Sequence, residues 1–192
     1  WLNTLNTLYH ESFHALVSLI LGNKVKEIVI EKTTEGSCIS VSKSKLRTFF
    51  SSLAGYIGCS LIPLLFVFCI SKEISYYTIL IITTYSFFIL LFFIRNTYAL
   101  VWTVCFSCIN LALVLLPTSP YLKNIVLFIY STIILIENTK SCFILLYLSL
   151  TKPKKSGDCT ILAKITKIPA FIWGLVFNAI NIAVIYKILH LV

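Results

Sequence analysis

The stretch "IENTKSC", Ile136 to Cys142, interrupts an apolar run that otherwise extends from Tyr121 to Leu150. Read as a turn, it splits the run into two membrane crossings; read as helix, it leaves one long crossing, and every later element changes side accordingly. The basic residues decide between the two. With a single tilted crossing, twelve of the 16 Lys and Arg fall on one face, against Lys72, Lys123 and Lys187 on the other, with Lys140 inside the segment. Splitting the run would move the lysines at 152–167 to the opposite face and weaken that bias. The positive-inside rule therefore favours one crossing and makes the charge-rich face cytosolic. Glu137 and Lys140, three residues apart on that helix, then face each other and partly neutralise.

The rest of the 192-residue chain follows the same pattern. Hydrophobic residues make up 58%, charged residues 12%, and the mean hydropathy is +0.94, far more apolar than a soluble domain requires. Apolar segments at about 1–21, 48–70, 74–94, 98–116, 121–150 and 168–191 predict an all-α polytopic membrane protein of about six transmembrane helices. Gly22-Asn23, Arg95-Asn96 and the prolines at 117 and 120 supply stops. Between the first two helices, residues 25–42 hold two β-branched runs around Thr33-Thr34-Glu35-Gly36, which predicts a small β-hairpin. No repeat or soluble domain is left over, so 1–192 is read as one membrane domain. The chain has no methionine and opens on Trp1 within a helical pattern, which leaves room for an upstream segment.

The net charge of +9 sits in short loops and sets orientation, so nucleic acid is not an expected partner. Seven cysteines, most inside apolar runs, imply no disulfide framework. Cys105 and Cys108, a C-x-x-C with no partner pair, are read as ordinary packing residues.

Chemistry concentrates in "YHESFHALVSL", Tyr9 to Leu19. His10 and His14, four apart, lie on one helix face, where two imidazoles can bind one zinc ion while Glu11 takes a proton from a metal-activated water. Chance gives this H-E-x-x-H pattern about once in a thousand such sequences. A purely structural role is physically costly too, because ionisable side chains within a membrane helix cost about 2.5 kcal/mol or more. A catalytic zinc takes three protein ligands, and Asp158 is the chain's single aspartate. Asp158, or Ser156 before it, also suits a helix N-cap. Topology favours Asp158 as a ligand, because it enters the last helix from the face on which the first helix ends. Cys159 is a weaker ligand candidate, and His190 reads as a membrane-interface histidine. Gly55 and Gly58 in "AGYIG" allow close helix approach. Asn178 and Asn181 need interior partners, and both pairs are also candidates for contact with substrate.

These residues resemble the site-2 protease-like intramembrane zinc metalloproteases, in particular their compact B-type branch. The resemblance is carried by "YHESFHALVSLILGNKVKEI", "EGSCIS", "LAGYIGCSLI", "RNTYALVW" and "SGDCTILAKITKIPAFIWGLVF", in the family's order over nearly the whole chain. Phe13 departs from the family's usual small residue, and Glu35-Gly36-Ser37-Cys38 from its usual Gly-Gly-Val-Thr. The resemblance implies one zinc ion per chain on His10, His14 and Asp158, with Glu11 as general base. It also implies cleavage of a membrane-anchored protein in or near its spanning segment, within the lipid bilayer. Two other readings stand beside this one: a relative that binds membrane proteins or metal without cutting, and a metal or small-solute transporter.

Overall fold

The computed structural model describes residues 3–33 and 35–191. Trp1 and Leu2 at the head of the first predicted segment, Thr34 in the predicted hairpin turn, and Val192 lie outside the described residues. The described chain runs α1 (Asn3–Ile20), β1 (Lys24–Ile30), β2 (Gly36–Val41), α2 (Lys45–Ser71), α3 (Ser75–Phe92), α4 (Thr97–Leu115), α5 (Pro120–Thr151), a 3-10 turn (Pro153–Lys155), α6 (Gly157–Thr166) and α7 (Ala170–Leu189). The protein is thus an all-α multi-pass membrane protein with a two-stranded antiparallel hairpin after its first helix.

Among the described residues five helices, α2 to α5 and α7, are long and apolar enough to cross a bilayer. The sixth predicted segment is α1, of 18 residues, and it is more polar. Asn6, Glu11, Ser12 and Ser18 on α1 are buried, because α1 packs against α2, α5 and the hairpin, which together keep its polar side chains away from lipid. Its end follows from Gly22, whose φ of 73° is open to glycine. Asn23 N–H donates to Ser18 C=O and Gly22 N–H to Leu19 C=O, closing the last turn.

The "ENTKS" stretch is helical throughout, so α5 is one continuous helix of 32 residues. Ser119 caps its start by accepting from Leu122 N–H, and Pro120 fills the first turn. Where the sequence suggested only a loop between the last two crossings, the structure inserts α6. It ends at Lys167, in the left-handed region with φ 63°, and Pro169 then starts α7.

The hairpin's two edges differ. In register, Lys24 faces Val41 and Ile30 faces Gly36, with a bulge between Val25 and Glu27. The outer edge of β1 is taken by the α3–α4 connector: Ile28 N–H donates to Phe93 C=O at 2.8 Å. The Asn96 carboxamide accepts from Ile30 N–H at 3.2 Å and donates to Ile30 C=O at 2.7 Å. The outer edge of β2 instead borders α1 and the cavity described next.

Candidate metal centre

His10 and His14 project from one face of α1 towards α2, at the level of Gly55. A Cβ at Gly55 would lie 2.5 Å from His10 Cε1 and 2.5 Å from His14 Nε2, so only glycine leaves room for both rings. Asp158, in the first turn of α6, reaches the same point. His14 Nε2 is 3.0 Å from His10 Nε2, and Asp158 Oδ2 lies 3.5 Å from His10 Nε2 and 3.3 Å from His14 Nε2.

These three edges bring two imidazoles and one carboxylate together, the donor set of a catalytic zinc site. A tetrahedral ion held at about 2.0–2.1 Å needs donors about 3.3–3.4 Å apart, and the observed triangle brackets that spacing. His14 Nδ1 lies 2.6 Å from Ser51 C=O. A carbonyl only accepts, so Nδ1 carries the proton and the Nε2 lone pair is directed at the cluster. The donor chemistry and the spacing both fit a metal ion.

Burial by itself would raise the Asp158 carboxyl, but in the metal-free cluster the charge and hydrogen bonds of the His14 and His10 rings in their imidazolium form outweigh it and hold the group well below the usual carboxylate range. Ser156 occupies the N-cap position of α6 without making a capping bond; its hydroxyl donates to Pro153 C=O at 3.2 Å. Cys159 is fully buried in a cluster with Cys142 and Leu162. Burial first, with the Asp158 and Cys142 charges adding to it, pushes its thiol up to about 12.

Glu11 is buried, 6% exposed, one position from His10. Its carboxylate accepts from the Cys38 backbone of β2, and a Cβ at Gly36 would come within 2.7 Å of Glu11 Oε1. Gly36 thus lets β2 lie directly against the carboxylate. The Cys38 thiol beside it is pushed up to about 12 by burial, with the Glu11 and Asp158 carboxylates adding to the shift. A cavity of about 940 Å³ opens over these groups, walled by α1, β2, α2, α5 and α6. Tyr56 forms part of the α2 wall, its ring 4.6 Å from that of His10 and edge-on to it.

The structure therefore gathers His10, Glu11, His14 and Asp158, and places Gly55 behind the histidines. Gly58 lies one turn further along α2, under the Phe13 ring, where a Cβ would meet ring carbons at 2.4 Å. Asn178 and Asn181 do not line the cavity. Asn178 Nδ2 donates to Cys142 C=O and Gly174 C=O, each at 2.8 Å. Asn181 Nδ2 donates to Thr139 Oγ1 at 2.9 Å, and its Oδ1 accepts from Asn138 Nδ2 at 3.0 Å. His190 caps α7 with its ring on Tyr186, and Cys105 and Cys108 lie on the exposed face of α4.

Sequence reasoning missed Ser51, which acts through a backbone carbonyl and so has no side-chain signature. It also missed Tyr56, although that residue directly follows Gly55, and Asn138, which binds Ser60 Oγ at 2.9 Å as well as Asn181.

The family model described as Peptidase M50B-like matches residues 1–188. No curated protein and no solved structure matches the chain.

Proposed function

The chain belongs to the Peptidase M50B-like family, and from that premise we propose that it is an intramembrane zinc endopeptidase cutting membrane-anchored proteins in or near their spanning segments. The observation that carries the reading is the triangle of His10 Nε2, His14 Nε2 and Asp158 Oδ2, with edges of 3.0–3.5 Å, beside the buried Glu11. His10, His14 and Asp158 would hold one zinc ion. When bound, zinc supplies a Lewis acid for the scissile carbonyl and activates water at neutral pH.

Glu11 takes the proton from the attacking water and hands it to the leaving amide nitrogen. The Cys38 backbone bond and the tight fit over Gly36 hold the carboxylate beside the ligands. Ser51 C=O fixes the His14 tautomer, so His14 faces the centre with its unprotonated nitrogen. Substrate backbone must be extended before it can be cut, and an unwound helix exposes amides that lipid does not satisfy. Apart from the Cys38 amide that Glu11 holds, the cavity-side edge of β2 offers those groups partners, whereas the far edge of β1 is occupied by Phe93 and Asn96. The whole chain acts as one membrane domain. The lysine-rich connectors support a metal centre towards the cytosolic side.

The test pairs metal analysis with processing. Purified wild type should carry one zinc ion per chain, Asp158→Ala none, and Glu11→Gln a full equivalent with processing of a co-expressed membrane substrate abolished. Persistence of processing in zinc-loaded Glu11→Gln would overturn the reading.

A further inference from the structure

Glu137 and Lys140 take no part in the metal centre, yet they put a carboxylate and an ammonium in the middle of a membrane helix. At about 1.5 Å per residue, Lys140 lies about 16 Å from the Thr151 end of α5 and about 30 Å from the Pro120 end. Its neighbour Ser141 lines the metal cavity, so the pair lies at the depth of the metal centre and beside its wall.

Lys140 Nζ meets Glu137 Oε1 at 2.6 Å, but the Lys140 side chain is 60% exposed. An ammonium has three donors, and among the described residues Glu137 is the only acceptor for this one. Two donors therefore remain on the exposed side of α5, a position that hydrocarbon strongly disfavours. Rotation of α5 cannot bury them. Asn138 and Thr139, between the two charges, are hydrogen-bonded inward to Ser60 on α2 and Asn181 on α7. Ile136, Phe143 and Ile144, one turn to either side of Lys140, are exposed as well, so the outer face of α5 is an apolar stripe with one cation at its centre.

We propose that this stripe is the docking face for the substrate's membrane-spanning segment, and that Lys140 receives a hydrogen-bond acceptor of that segment, best a carboxylate, at the depth of the metal centre. The inference rests on the protease reading and adds a substrate class to it: single membrane helices carrying an acidic residue near mid-span. Lipid satisfies the apolar stripe but not the spare donors; a helix with one central acceptor satisfies both. Its position beside the cavity wall distinguishes this face from the rest of the exposed surface, since a helix seated there needs little travel to present a loosened strand to β2.

Full-length chain carrying a donor fluorophore would be reconstituted in phosphatidylcholine vesicles with acceptor-labelled leucine-alanine spanning peptides that differ only in a central Asp or Leu. Energy transfer should show the Asp peptide bound about tenfold more tightly than the Leu peptide. Lys140→Leu should erase that preference and Lys140→Arg retain it, the latter guarding against misfolding. Equal binding of the two peptides to wild type, or a preference surviving in Lys140→Leu, overturns the proposal. So does a Lys140-dependent association between two labelled copies of the chain that is indifferent to the peptides. Zinc content and the Glu11→Gln variant are measured in the same vesicles. A missing zinc ion with the preference intact counts against the protease reading alone, and loaded zinc without the preference counts against the docking face alone.

Discussion

Replacing Gly55 by alanine adds one methyl group to α2, a change that in an ordinary helix interior would stabilise by about 1 kcal/mol. Here the sign should reverse for metal binding. The new Cβ would lie 2.5 Å from His14 Nε2 and 2.5 Å from His10 Cε1, where ordinary contact begins at 3.4 Å. At least one imidazole must retreat by about 0.9 Å, several times the ±0.2 Å latitude of a zinc–donor distance. Distortion of supporting groups alone costs about 10- to 100-fold in affinity; displacing a donor atom should cost at least the upper figure, about 2.7 kcal/mol. Chelator competition on detergent-purified protein measures this directly, and a thermal melt of the metal-free form reports whether the fold is kept. We expect a folded Gly55→Ala that binds zinc at least about 100-fold more weakly. Zinc affinity within threefold of wild type in a folded variant would refute the cradle argument and the ligand assignment built on it.

Gly58→Ala should drive a Cβ into the Phe13 ring and destabilise by about 1–3 kcal/mol. Phe13→Ala should restore stability in the double variant, as read from unfolding midpoints. Asn138→Leu removes the bonds to Ser60 and Asn181 and should cost about 1–2 kcal/mol in detergent unfolding, with zinc affinity nearly unchanged because none of these groups touches the ligands. Cys38, its thiol pushed up to about 12, should resist maleimide at pH 7–8 and react only as the pH rises towards that value, since the thiolate is the nucleophile. Mass spectrometry of the alkylated protein checks this.

Some of this architecture was legible because single residue types carry it. The unequal distribution of lysine favoured an unbroken α5, since a break at "ENTKS" would have scattered the basic residues across both faces, and the helix is continuous. The β-branched runs of 25–42 marked the hairpin, and the H-E-x-x-H spacing marked the face of α1 on which His10 and His14 come together. Asp158 was reached because it is the chain's only aspartate. The unread parts depend on groups that sequence does not distinguish. The Ser51 carbonyl is chemically the same as any other; Asn96 holds β1 from 66 residues away; and α6 is too short and too mixed in composition to separate from a loop. Gly55 looked like a helix-packing glycine, and its contact with the histidine rings emerges only when α1 and α2 are placed together.

His14 and Asp158 are 144 positions apart in the chain yet 3.3 Å apart in space. A ribosome adding about 5–20 residues per second needs about 7 to 29 s to pass from the first to the second. During that interval α2 to α5 must be threaded into the bilayer, while the two imidazoles lack their third partner. A newborn chain thus holds only two of the three clustered side chains until α6 has been made, and the His10–His14–Asp158 group closes only after α2 to α5 have been synthesised.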